Sequence, residues 1–149
     1  MLLVAPDDPI LLRCAEIVEF PYRELSRIAS GMLETMMTLQ GCGLAAPQVG
    51  LPWRIIMFRH EGRIGTLVNP IIYHFAGPRI KTREGCLTFK DRVWECERSS
   101  EISIRYQNIQ GKEFDEDVDG FLAVILQHET DHLDGVLISQ HGKEITRDD

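Results

Sequence analysis

One stretch limits what this chain can fold into more than any other: "FLAVILQHETDHLDG", Phe121 to Gly135. Its opening run, "FLAVIL", is apolar on every side of a helix, so the element it begins must be covered all round rather than laid on a surface. Asp119 is placed to cap the start and Gly135 to end it. Into this buried helix the sequence sets His128, Glu129 and His132. At about 100° per residue the two histidines differ by roughly 40° around the axis, one turn apart, so both imidazoles look to one side. Glu129 lies next to that face. Two imidazoles and a carboxylate are costly to bury in an apolar helix unless they act together. HExxH on a helix is the pattern of two metal ligands with a neighbouring base.

Two ligands do not complete a site. In the continuation HExxHxxGxxH the next ligand position is Ile138, and His141 falls three residues late. A glutamate on a further downstream helix is the other common solution, and only Glu144 remains for it, in a tail too short for that helix. The third ligand is therefore expected upstream. "REGCLTF" supplies Cys86, whose thiolate suits zinc or ferrous iron and, with two histidines, leaves one position open. Taken alone, Cys86 also reads as a small buried apolar residue. A third segment, "GCGLAAPQVG", adds glycines that let backbone come close to a ligand, and Gln48, a neutral amide donor.

The rest of the chain bounds the setting. At 149 residues it is expected to be one domain, 1–149, able to bury a core without disulfides. No basic segment precedes "MLLVAPDDPILLRC" and prolines and aspartates interrupt it, so it reads as neither export signal nor membrane span. With no export signal, Cys14, Cys42, Cys86 and Cys96 are expected reduced. A net charge of −7, with an acidic cluster from Glu113 to Asp119, disfavours nucleic acid as a partner. "FPYRELSRIASGMLETMMTLQG" predicts a first helix with Pro21 near its start, a core stripe through Leu25, Ile28, Met32, Leu33, Met36 and Leu39, and Gly41 as its stop. Between the helices lie strand-like segments joined by turns, "WRIIMF", "GTLVN", "PIIYHF", "RVWECER", "EISIRYQ" and "EFDEDV". The acidic last segment reads as a solvated hairpin edge. Mostly antiparallel pairing is expected of them.

The order "GCGLAAPQ" at 41–48, "EGCL" at 84–87 and "QHETDH" at 127–132 resembles the peptide deformylase family, through nearly the whole chain. The resemblance implies an α+β fold, in which short, mostly antiparallel β-sheets surround a central metal-binding helix, with an N-terminal helix. It implies that Cys86, His128 and His132 hold one divalent ion: ferrous iron in the cell, with zinc, nickel or cobalt also accepted. Ligand types alone point to zinc. Glu129 would take a proton from the attacking water and return it to the leaving amine, while the Gln48 side-chain amide and the Leu87 backbone N–H stabilise the oxyanion. The substrate would be the N-formyl-methionine end of nascent peptides, and the products formate and a free N-terminal methionine.

Its methionine side chain would lie among Phe121, Val124 and Ile125, with Cys42 from the glycine loop, and its backbone against Gly43 and Leu44 or the segment after Leu87. Glu84 and Arg98 resemble a pair that holds the ligands in place. Asp131 reads as structural, and His60, His74 and His141 receive no role. The protein would act as a monomer in the cytoplasm of a bacterial, or phage-infected, cell, without membrane attachment. Where the family carries proline closely after EGCLS, this chain has Thr88, Phe89 and Lys90, which bears on peptide preference. A C-terminal helix for ribosome docking is not expected, as in short, phage-encoded members. The competing readings are a metal amidase for another N-acyl group, signalled by a remodelled pocket, and a non-catalytic metal-binding homologue, signalled by loss of Glu129 or Gln48. Both of those residues are present.

Overall fold

The computed structural model describes residues 1–146. Helix α1 spans Leu25–Thr38. Strands β1 (Gly43–Ala45), β2 (Ile55–His60), β3 (Arg63–Cys86), β4 (Phe89–Gln107) and β5 (Glu113–Asp119) follow, and helix α2 is Gly120–Leu133. A short helix α3 (Ile138–His141) and strand β6 (Lys143–Ile145) close the described chain. The five longer-range strands form one antiparallel sheet in the order β1-β2-β3-β4-β5, with β6 paired to β4. Among the described residues no helix is long and apolar enough to cross a membrane.

Helix α2 is covered as its all-apolar start requires: Ala123 through Thr130, His132 and Leu133 are buried. Ile125, Leu126 and Leu133 pack on Ala45, Ile56, Phe58, Ile102 and Ile104 of the sheet. Each such aliphatic side chain contributes about 1.5–3 kcal/mol by leaving water. Asp119 takes the extended N-cap conformation, but its side chain makes no capping bond. At the other end Gly135 is left-handed, φ +73°, and the Val136 N–H returns to the Asp131 carbonyl. Arg54 Nη1 donates to the Leu133 carbonyl at 2.9 Å, a cation where the helix end is negative.

Helix α1 starts later and stops differently than its pattern suggests. Tyr22 packs on Trp53, ring centroids 5.5 Å apart, and the Leu25 N–H bonds the Tyr22 carbonyl, so the chain turns before it coils. At the end the left-handed position is taken by Gln40, φ 56°, rather than by Gly41. Met32 and Met36 are fully buried against Leu44, Ile55 and Met57, so the methionine stripe is a core face. Leu39 lies past the helix and is exposed.

The strand segments also join up. "GTLVN" and "PIIYHF" belong to one 24-residue strand, and "RVWECER" and "EISIRYQ" to one of 19 residues. Two prolines sit in register shifts of β3: Pro70 between Val68 and Ile71, Pro78 between Ala76 and Arg79. At a bulge the missing proline N–H costs no ladder bond, so the strand bends instead of stopping. The acidic segment, β5, is a sheet edge whose residues alternate between exposed and half-buried, and it carries the ion pairs Arg63–Glu116 and Arg105–Asp115.

Candidate active site

The site lies where three segments meet: β1 and the turn after it, the β3–β4 hairpin, and the middle of α2. Cys86 pairs with Phe89 across a two-residue turn made of Leu87 and Thr88, and of these Cys86 meets His132 of α2. The Cys86 Sγ and ring nitrogens of His128 and His132 all lie within 4.8 Å of one another. Cys86 Sγ is 3.4 Å from His132 Nε2. His128 Nδ1 contacts Glu84 Oε1 at 2.9 Å, which leaves Nε2 as the atom available to a cation.

Behind the ligands stands a buried ion-pair network. Arg98, 4% exposed, binds Glu84 through Nε and Nη2, both at 2.9 Å, and Asp131 through Nη1 at 2.7 Å. Thr82 adds its hydroxyl to Glu84. Burial by itself would raise the Glu84 carboxyl, but the bonds from His128 and Arg98 outweigh it and hold the group well below the usual carboxylate range. Glu84 is therefore an anion fastened at both ends, with one oxygen on a ligand and both on an arginine.

Glu129 is 5% exposed, and its Oε1 is buried without a partner among the described residues. Burial pushes its carboxyl up to about 7, against the pull of a charged His128. Burial disfavours a charged His128, yet Glu129, Cys86 and Glu84 together outweigh that and draw positive charge to it. Burial also keeps His132 neutral, the form a ligand needs. A soft thiolate, two imidazoles, an unpartnered carboxylate oxygen and a local excess of negative charge fit a divalent cation.

Both glycines of "GCGLAAPQ" lie tight against side chains of the site. A Cβ on Gly43 would lie 2.5 Å from Glu129 Oε2, and one on Gly41 would lie 2.7 Å from Leu87 Cδ1. Gln48, 1% exposed, is held in a single turn, Ala46–Val49: its Oε1 accepts from the Ala45 N–H at 2.8 Å, which fixes the amide orientation. Its Nε2 donates to Thr88 Oγ1 at 3.0 Å and approaches Cys86 Sγ at 3.7 Å. Gln48 thus reaches the Cys86–His128–His132 cluster directly, while Leu87 and Glu129 each follow a ligand in the chain.

A profile of the polypeptide deformylase family matches residues 1–148. The chain belongs to that family. It is 40% identical to the peptide deformylase of Bartonella quintana, over 99% of this chain and 86% of that one. It superposes with a TM-score of 0.91 on the crystal structure of the Thermotoga maritima peptide deformylase, at 36% identity and covering 94% and 95% of the two chains. A class I type b peptide deformylase from Acinetobacter baumannii, solved with Met-Ala-Ser bound, matches with TM-score 0.91 and 30% identity, covering 95% of this chain and 97% of that one. As a deformylase the chain is a metal-dependent hydrolase that removes the N-formyl group from nascent peptides, and its sheet-and-helix architecture is the family's.

Not every expected residue joins the cluster. Val124 and Ile125 are buried, Ile125 between sheet and helix. Phe121, in the first turn of α2, is half-exposed with its ring 5.6 Å from that of His60, and Cys42 is exposed. The cavity of about 530 Å³ lined by Arg54, Ile71, Phe75, Arg79, Asp131 and His141 contains none of the three ligands. Sequence reasoning missed the acceptor role of Thr88, the anchoring of Arg98 by Asp131 and the hydroxyl of Thr82. The Thr88 and Asp131 contacts join segments distant in sequence, whereas Thr82 lies two residues from Glu84 on the same strand.

Proposed function

We propose that this deformylase acts on N-formyl-methionyl peptides with Cys86, His128 and His132 as ligands of one divalent ion, Glu129 as proton carrier, and Gln48 Nε2 and the Leu87 N–H as oxyanion donors. The observation that carries the reading is the gathering of the Cys86, His128 and His132 ligand atoms within 4.8 Å of one another, with Gln48 Nε2 3.7 Å from Cys86 Sγ. When bound, the ion supplies Lewis-acid polarisation and activates water at neutral pH. Ferrous iron is the proposed ion in the cell, with zinc, nickel or cobalt able to replace it.

The chain's own groups do the remaining work. Glu129, already raised by burial toward neutral pH, exchanges a proton between the attacking water and the departing amine nitrogen. Gln48 keeps one amide edge toward the ligands because its oxygen is committed to Ala45. Both glycines keep space clear, one for the proton carrier and one for the turn that bears Leu87. Asp131 holds Arg98, Arg98 holds Glu84, and Glu84 holds the His128 ring.

The peptide backbone is proposed to extend the sheet at β1, which has β2 as its sheet neighbour on one side. The Ala45 N–H turns away from β2 to reach Gln48, so by ladder alternation the Gly43 N–H and C=O also face off the sheet. Phe121, Val124, Ile125 and Cys42 are proposed to receive the methionine side chain. The protein would act as a monomer and as one catalytic domain, 1–149, in the bacterial cytoplasm where formylated chains are made. Glu129→Ala tests the roles: metal content should stay at one ion per chain while turnover falls about 100-fold or more. A variant that keeps wild-type turnover removes Glu129 from the mechanism.

A further inference from the structure

We propose that Thr88 is a positioning residue for deformylation: its hydroxyl holds the Gln48 amide in the orientation that an oxyanion needs. The inference rests on the deformylase reading above and concerns how one of its donors is aimed. Gln48 Nε2 can only donate, so at 3.0 Å the Thr88 hydroxyl oxygen must accept. Ala45 fixes the far end of the amide through Oε1 at 2.8 Å. One anchor leaves the amide plane free to turn about that bond, and the second anchor removes this freedom. With one Nε2 hydrogen given to Thr88, the other is directed to the side of Cys86 Sγ, 3.7 Å away.

Thr88 itself is 7% exposed, so water does not readily replace it as the acceptor. It is also the second residue of the two-residue turn whose first residue is Leu87. A single turn therefore supplies one oxyanion donor from its backbone and aims the other through its side chain. Any shift of the turn moves both donors together. Gly41 is what lets that turn come close, since a Cβ there would strike Leu87 Cδ1.

Valine keeps the shape of threonine and removes the acceptor. In Thr88→Val the buried amide hydrogen has lost its partner, and the nearest alternative acceptor is Cys86 Sγ, so the amide turns off its line. Because the misdirected bond matters most as charge develops, kcat should fall roughly 10-fold or more while KM stays within about twofold. Thr88→Ser keeps the oxygen and should stay within about threefold of wild type. If Thr88 works only through Gln48, Thr88→Val adds nothing in a Gln48→Ala background.

The experiment is steady-state formate release from an N-formyl-Met tripeptide by metal-loaded wild type, Thr88→Val, Thr88→Ala, Thr88→Ser, Gln48→Ala and the Gln48→Ala/Thr88→Val double variant. Thermal unfolding of each runs beside it, and Thr88→Ala removes the same acceptor should the valine fit badly. A kcat loss in Val and Ala, rescue by Ser, and no added loss in the double variant support the assignment. Wild-type kcat in both Val and Ala, a Ser variant as slow as Val, or an equal loss without Gln48 overturns it. A wild type that releases no formate defeats the functional reading and this inference with it, whereas an active wild type with unaffected variants defeats this inference alone.

Discussion

Gly43→Ala should separate activity from stability, because of what the new methyl would meet. Its Cβ would sit 2.5 Å from Glu129 Oε2 and 2.9 Å from both Cδ and Cγ, where ordinary contact begins at 3.4 Å. The strand cannot easily yield, since Gly43 is paired with Phe58 and its neighbour Leu44 is fully buried. Glu129 is the flexible partner, so its carboxylate must retreat by about 1 Å, a misplacement on the order of that which costs 100-fold in rate. The fold loses about 1–3 kcal/mol, the usual range for overpacking a filled site. The assay is formate release with kcat and KM resolved, alongside metal content and denaturant unfolding. Metal content should not change, because no ligand is touched. Glu129→Ala should be no slower with Gly43→Ala added than without it. A Gly43→Ala enzyme with wild-type kcat would refute the argument that this glycine exists to seat Glu129.

Arg98→Met should cost about 3–5 kcal/mol, since it leaves the 5%-exposed Glu84 side chain without its bidentate partner. Denaturant unfolding reads it, and Glu84→Gln in the same chain should recover part of the loss. Glu84 is depressed in the folded state, so its contribution is complete above the unfolded carboxyl's pKa of about 4.3 and is lost as pH falls through the folded value. The Arg98→Met deficit should accordingly be largest at neutral pH and shrink in acid; a deficit constant with pH, or under 1 kcal/mol, contradicts the network's role. Chelation should abolish turnover and lower the thermal midpoint, and stoichiometric divalent metal should restore both. Activity that persists through exhaustive chelation would remove the cation from the chemistry.

The catalytic helix was legible because its two signals agree. An all-round apolar run demands burial, and the two histidines within the helix fall on one side. The cap at Gly135 was legible for the same reason, a local backbone requirement. What stayed hidden depends on contacts between distant segments. "GTLVN" and "PIIYHF" read as separate strands, and nothing local says that β3 runs through Pro70 and Pro78 as bulges. Gln40 took the left-handed position expected of Gly41, while Gly41 lies against Leu87. Asp131, next to a ligand, read as structural, and its anchoring of Arg98 appears only once β4 lies along α2. Thr88 read as a mild substitution, since a hydroxyl's acceptor role needs Gln48 beside it.

The most direct test of the account is formate release from an N-formyl-Met tripeptide by anaerobically prepared, iron- or nickel-loaded protein, with the N-acetyl-Met peptide as control. Rapid release from the formyl peptide and none from the acetyl peptide is the predicted result. Equal turnover of the two would mean the site serves another acyl group, and no release from fully metallated protein would contradict the central claim.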